Sequence, residues 1–257
     1  MVNACKPKNE APNIVFEEEV LNRVDNGHLG HKNLSDYGFF TGFLVDLVPA
    51  KNVHPYELNT PLFSDYAQKK RFIYLPEGSI IEYHPTEVFD FPVGTVLIKN
   101  FYYDDAQLIN QKGRIIETRL LIKKAREWQA LPYIWNSEQT DAILEITGGA
   151  QEISLLGKKL IHYQIPNMGQ CKGCHQRNGT LQPIGPTARQ LNRNHLDDGG
   201  KSINQLRRLS RLGLLSVSEK EAFPKFSVWN DPKTGSLDER ARAYLEMNCA
   251  HCHRKEG

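Results

Sequence analysis

The stretch VGTVLIKNFYY at residues 93–103, with RIIETRLLIKK at 114–124, decides how this chain is read. Both are dense in β-branched and aromatic residues, which suit a packed, pleated surface, and the turn formers QKG separate them. They predict two strands of an antiparallel sheet. Working outward, KRFIYL (70–75), SIIEYH (79–84), DAILEIT (141–147) and KLIHYQI (159–165) share that character and are divided by PEG and GGA. Some alternate apolar with polar and others hardly alternate. That mixture is expected of an antiparallel sandwich with half-buried and fully buried strands.

The flanks read differently. Residues 1–49 form a polar tether with one short helix predicted over IVFEEEVLNRV (14–24), and 50–165 form the β-rich domain. After IPN (165–167) short helices and loops take over. PTARQLNRN (186–194) can start a helix with Pro186 in its first turn. SINQLRRLSRLG (202–213) places Ile203, Leu206, Leu209 and Leu212 at helical spacing, with Gly213 as a C-cap. SLDERARAYLEMNCAHCH (236–253) opens with Ser236 and Glu239 in the capping-box relationship. The expected fold class is therefore α+β: an antiparallel β-sandwich-like N-terminal domain, then a mostly α-helical region over 166–257.

Composition narrows function by exclusion. Of 257 residues, 40% are apolar and 24% charged, the profile of an ordinary globular protein, and the net charge of +2 asks for no polyanionic partner such as nucleic acid. FFTGFLVDLVP (39–49) is too short to span a membrane and is interrupted by Asp46. At the start, Val2-Asn3-Ala4-Cys5 is similar to the end of a bacterial lipoprotein cleavage box, with the polar KPKNEAPN after it. Cys5 is a candidate lipidation site, the alternative being a free thiol near the terminus.

The other four cysteines carry the chemistry. They form CKGCH (171–175) and CAHCH (249–253), two Cys-x-x-Cys pairs each followed at once by histidine. Two cysteines one helical turn apart match the two vinyl groups of a haem, and the histidine beside them is placed to ligate the iron. Cys171, Cys174, Cys249 and Cys252 are thus candidates for haem c thioether attachment, with His175 and His253 as proximal ligands. Two rivals stand beside this reading: a four-thiolate zinc site, and a thiol–disulfide centre. Zinc leaves the repeated histidine unexplained, and neither pair follows the βαβ pattern of a thioredoxin-type motif. His195 is a candidate distal ligand for the first haem. Met168 and Met247 lie too close in sequence to reach across the haems of their own motifs. Trp128, Trp135 and Trp229 read as core or rim packing, and Asp104-Asp105 as a solvated turn.

The strings YELNTPLFSDYAQKKRFIYLPEG (56–78), FDFPVGTVLIKNFYY (89–103), ETRLLI (117–122), YIWNSEQTDA (133–142), YQIPNMGQCKGCH (163–175), PIGPTARQLN (183–192) and RARAYLEMNCAHCH (240–253) together carry a likeness. Over residues 35–257 the chain resembles a bacterial family of largely uncharacterised dihaem c-type cytochromes. The resemblance implies an exported protein with two haems and a helical, cytochrome c-like region. It also implies a periplasmic redox partner, such as a sugar dehydrogenase or another cytochrome, and electron transfer as its role. A dihaem, peroxidase-like oxidoreductase with one open haem is the runner-up, and a zinc-binding module the remote third. In a small cytochrome c domain several helices follow the first Cys-x-x-Cys-His. Only RKEG follows the second motif here, so the chain is expected to be a C-terminally truncated fragment.

Overall fold

A computed structural model describes residues 29–109, 111–157, 160–196 and 200–253. The helix expected over 14–24 and the candidate lipidation site Cys5 lie outside the described residues. The centre is one six-stranded sheet: β1 (Val53–Tyr56), β2 (Gln68–Tyr74), β3 (Val96–Tyr103), β4 (Arg114–Lys123), β5 (Trp128–Trp135) and β6 (Ala142–Leu144). The strands are adjacent in chain order and every pair is antiparallel, a simple meander. A separate hairpin follows, β7 (Gly149–Ser154) with β8 (Leu160–Ile165).

Register assigns each residue a face, because neighbours along a strand point to opposite sides. On one face Phe72, Ile98, Leu120 and Leu131 are cross-strand partners, and Leu34, Tyr37, Phe39 and Leu47 cover them. On the other, Ile73, Leu97, Leu121 and Ala130 form the matching row, joined by Cys171, Leu181, Leu191, Leu206, Leu209, Leu215 and Met247. Burying a Leu or Ile side chain contributes roughly 1.5–3 kcal/mol. This second cluster therefore anchors the cysteine-bearing segment directly on the sheet. The β7–β8 hairpin packs Ile153, Leu155, Tyr163 and Ile165 against Phe101 and Tyr103 farther along β3.

Two expectations about fold class are corrected. The N-terminal half is not two stacked sheets of similar size: one six-stranded sheet carries the two-stranded β7–β8 hairpin against part of one face, and mostly irregular chain covers the rest. Nor does a mostly α-helical, cytochrome c-like region follow it, since the structure is mostly β, with 34% strand against 18% helical. The described residues after 165 hold four short α-helices: α1 (Cys171–His175), α2 (Ala188–Leu191), α3 (Gln205–Arg211) and α4 (Leu237–Leu245). Local pairing cut the predicted helices short. Ser202–Asn204 pairs with Asn194–Leu196 as a ribbon, so the helix expected from 202 starts only at Gln205, capped by the Asn204 side chain on the Leu206 and Arg207 amides. Pro183 and Pro186 likewise keep the chain out of helix before α2, because proline disfavours the helical conformation in the residue ahead of it. SIIEYH is not a strand either; Ile81 and Glu82 make only isolated bridges, to Leu215 and Asp90. No helix among the described residues is long and apolar enough to cross a membrane.

Candidate functional site

The first motif is delivered by β8. Its last residues run through Pro166 into a reciprocal turn, in which the Asn167 amide donates to Gln170 Oε1 (2.9 Å) and the Gln170 amide to Asn167 Oδ1 (2.8 Å). That turn starts α1, so Cys171 points into the core beneath the sheet face while Cys174, one turn on, is exposed. Burial pushes the Cys171 thiol above its ordinary pKa, and burial together with the nearby Cys252 does the same for Cys174.

His175 closes the helix with a fixed tautomer. The short ribbon Gln176–Arg177 with Thr180–Leu181 turns the chain back and sets Gln182 opposite. His175 Nδ1 lies 2.8 Å from the Gln182 carbonyl, which can only accept, so Nδ1 carries the proton and Nε2 keeps its lone pair. Burial holds the imidazole pKa down to about 4, so it is neutral at physiological pH. A neutral, oriented imidazole is the form that ligates a metal.

The second motif arrives on α4. Ser236 caps it as expected: Ser236 Oγ accepts from the Glu239 amide (3.3 Å) and the Ser236 amide donates to Glu239 Oε2 (2.8 Å). The helix widens into a π-type turn over Glu246–Ala250, which carries the chain into Cys249, Cys252 and His253, all three exposed. The Phe63 amide donates to Asn248 Oδ1 (2.7 Å), and Arg189 pairs with Glu246 at 3.0 Å. Both contacts dock this turn beside the first motif. Consequently Cys252 Sγ lies 3.7 Å from the Gly173 carbonyl, inside the first Cys-x-x-Cys. The ligand atoms of Cys174, His251 and Cys252 all fall within 4.8 Å of one another. Cys171 and Cys249 do not join this group, so the four-thiolate set does not assemble among the described residues.

Between the sheet and α1 is a cavity of about 350 Å³. That is within the roughly 300–1,000 Å³ typical of cofactor sites. Cys171, Cys174, His175, Ile184 and Met247 line it, together with Leu97, Leu121 and Ala130 of the sheet. Arg71, Lys99 and Arg119 also line it. Arg71 is only 5% exposed, yet its Nη2 has no hydrogen-bond partner among the described residues. An unpartnered nitrogen of a buried cation beside a largely apolar cavity fits a bound group that is apolar over most of its surface and anionic at one edge.

The sequence-predicted residues thus converge only in part. Cys171, Cys174 and His175 share the cavity. Cys252 and His251 meet Cys174 at its rim, and Cys249 and His253 stand outside. His195 lies half-buried on the ribbon opposite Ile203 and is not on the wall of this cavity. Met247, set aside because it is too close to its own motif, is buried on the wall of the first motif's cavity. No protein-family model, curated protein or solved structure matches this chain.

Proposed function

We propose that the chain is an exported c-type cytochrome that holds a haem at each Cys-x-x-Cys-His motif and passes electrons to or from a periplasmic redox partner. The observation that carries this is the cavity under Cys171, Cys174 and His175, with an oriented Nε2 lone pair and an apolar sheet wall. Cys171 and Cys174 would form the thioethers, each S–H adding across a vinyl double bond with its proton going to the vinyl carbon. His175 would ligate the iron, and Gln182 would hold its ring. Cys249, Cys252 and His253 would serve the second haem in the same roles. When bound, haem supplies a one-electron ferric/ferrous couple. The sheet excludes water from the first site and sets its polarity.

This reading places the protein outside the bacterial cytoplasm, where haem is attached, with Cys5 as the candidate lipid anchor. A sugar dehydrogenase or a second cytochrome is the class of partner proposed. Met247 also lines this cavity and would be the candidate second protein ligand to the iron, which favours electron transfer over an open, peroxidase-like centre. The test is purification of the full chain from cells that attach haem. Colour that survives acid–acetone extraction supports the reading, and colourless protein overturns it. Met247→Leu is then expected to keep its haems, because this swap costs less than about 1.5 kcal/mol. Its ferric spectrum should turn from low-spin to high-spin at one site. An unchanged spectrum would exclude Met247 as a ligand.

A second reading rests on the convergence of Cys174, His251 and Cys252. Two thiolates and one imidazole, the last with Nδ1 committed to the Met247 carbonyl at 3.1 Å, are a donor set that suits Zn²⁺ with a fourth position open. It leaves Cys171, His175 and the cavity without a role, so haem is preferred.

A further inference from the structure

Arg71, Lys99 and Arg119 sit on three different strands, and register makes them immediate neighbours: Arg71 is the cross-strand partner of Lys99, and Lys99 of Arg119. They form one rung of the sheet, on the same face as the apolar row one step along. Like charges directly opposite one another destabilise a sheet, and burial worsens this by removing the water that would screen them. Compensation inside the protein is incomplete. Arg119 is satisfied by Glu117, through Nη2–Oε1 at 2.5 Å and Nε–Oε2 at 2.8 Å, and the Tyr163 hydroxyl also donates to Glu117 at 2.6 Å. Glu117 thus accepts three hydrogen bonds, none of them from Arg71 or Lys99.

Two further carboxylates are nearby but form no ion pair with the rung among the described residues: Glu57, which lies 4.0 Å from Arg193 and acts on Arg71 electrostatically, and Asp65, which lines the same cavity. The Phe101 ring receives Lys99 at 4.6 Å and Arg119 at 4.4 Å, which offsets charge but accepts no conventional hydrogen bond. Arg71 Nη2 stays orphaned and Lys99 has no carboxylate partner among the described residues, while both line the cavity.

We propose that Arg71, Lys99 and Arg119 form a cationic rung that receives the paired carboxylates of the porphyrin held by Cys171, Cys174 and His175. This rests on the haem reading above and gives that site its recognition chemistry. The vinyl-derived edge of the porphyrin is fixed at the cysteines of α1, so its propionate edge must face another wall. The rung is a wall of strong donors fixed on rigid strands. Two carboxylates match the two cations that Glu117 leaves uncompensated.

The full-length apoprotein, titrated with haemin and with haemin dimethyl ester, tests this, since the two ligands differ only in their carboxylates. Wild-type protein should prefer the free acid by about tenfold or more. Lys99→Met should lose most of that preference while melting no lower than wild type. Lys70→Met, on the opposite face of the same sheet, should keep it. Equal affinity of wild type for acid and ester, or an undiminished preference in Lys99→Met, overturns the rung and leaves the haem reading standing. If neither ligand binds, the haem reading itself falls and the rung with it. Arg71→Lys, which keeps the charge and loses the fork, is the second variant; a partial loss of preference supports the rung, and no loss counts against it.

Discussion

On the proposed haem reading, a chain carrying both Cys171→Ala and Cys174→Ala, produced under conditions that attach haem, is expected to lose one of two covalent haems completely. Intact-protein mass reads this directly, since each attached haem adds its own mass. The fold should survive. Cys171 contributes a small buried contact to the cluster beneath the sheet, and Cys174 is exposed, so the loss of packing is modest. An unchanged mass would end the assignment of haem to this motif. A paired comparison separates the two readings of the site. His175→Ala should shift the haem spectrum and leave a wild-type metal content, whereas His251→Ala should leave the spectrum alone. If the purified protein instead carries zinc and loses it in His251→Ala, the site belongs to the metal reading. The separation is possible because His175 faces the cavity while His251 meets Cys174 and Cys252 at its rim.

Glu117→Gln is expected to destabilise the chain by about 3–5 kcal/mol, the cost of removing one partner from a buried ion pair. Glu117 is fully buried on β4, and it is the acceptor for Nε and Nη2 of Arg119 and for the Tyr163 hydroxyl of the hairpin. Glutamine keeps the shape and one carbonyl acceptor, but it leaves a third cation on the rung without its counter-charge. The loss should show in urea unfolding as a lower midpoint at unchanged slope. The double variant Glu117→Leu, Arg119→Met should recover most of it, because a buried pair can be exchanged for apolar groups at little cost. If single and double variants are equally unstable, the damage is to packing and the charge argument fails.

The central strands were legible because their residues are individually strand-prone: KRFIYL, VGTVLIKNFYY and RIIETRLLIKK correspond to β2, β3 and β4. β5 was harder to see. Pro132 interrupts it, and a proline ordinarily excludes a central strand. Register eases the conflict: β6 pairs only with Tyr133–Trp135, and just past its end the Pro132 carbonyl accepts from the Glu145 amide at 3.0 Å. SIIEYH looked like a strand and is not one, because Ile81 is buried against Leu215 by tertiary contact alone. In the site, the cysteines and histidines were visible through spacing, which is local. The cationic rung was not. Residues 71, 99 and 119 become neighbours only through register, and each alone reads as a polar break in an apolar strand. Met247 was passed over for a related reason: distance along the chain rules out its own motif and says nothing about the other one.

The contact between Phe63 and Asn248 closes a loop of 185 residues. The sheet, by contrast, is a meander in which every strand pairs with its neighbour in sequence. Folding speed follows such sequence separations, so hairpins of the meander form early and the turn carrying Met247 and Asn248 docks last. The cavity therefore passes through a stage in which its sheet wall and α1 exist but the turn has yet to close over them. A bulky group can be loaded from the side at that stage, without any later opening of the finished fold.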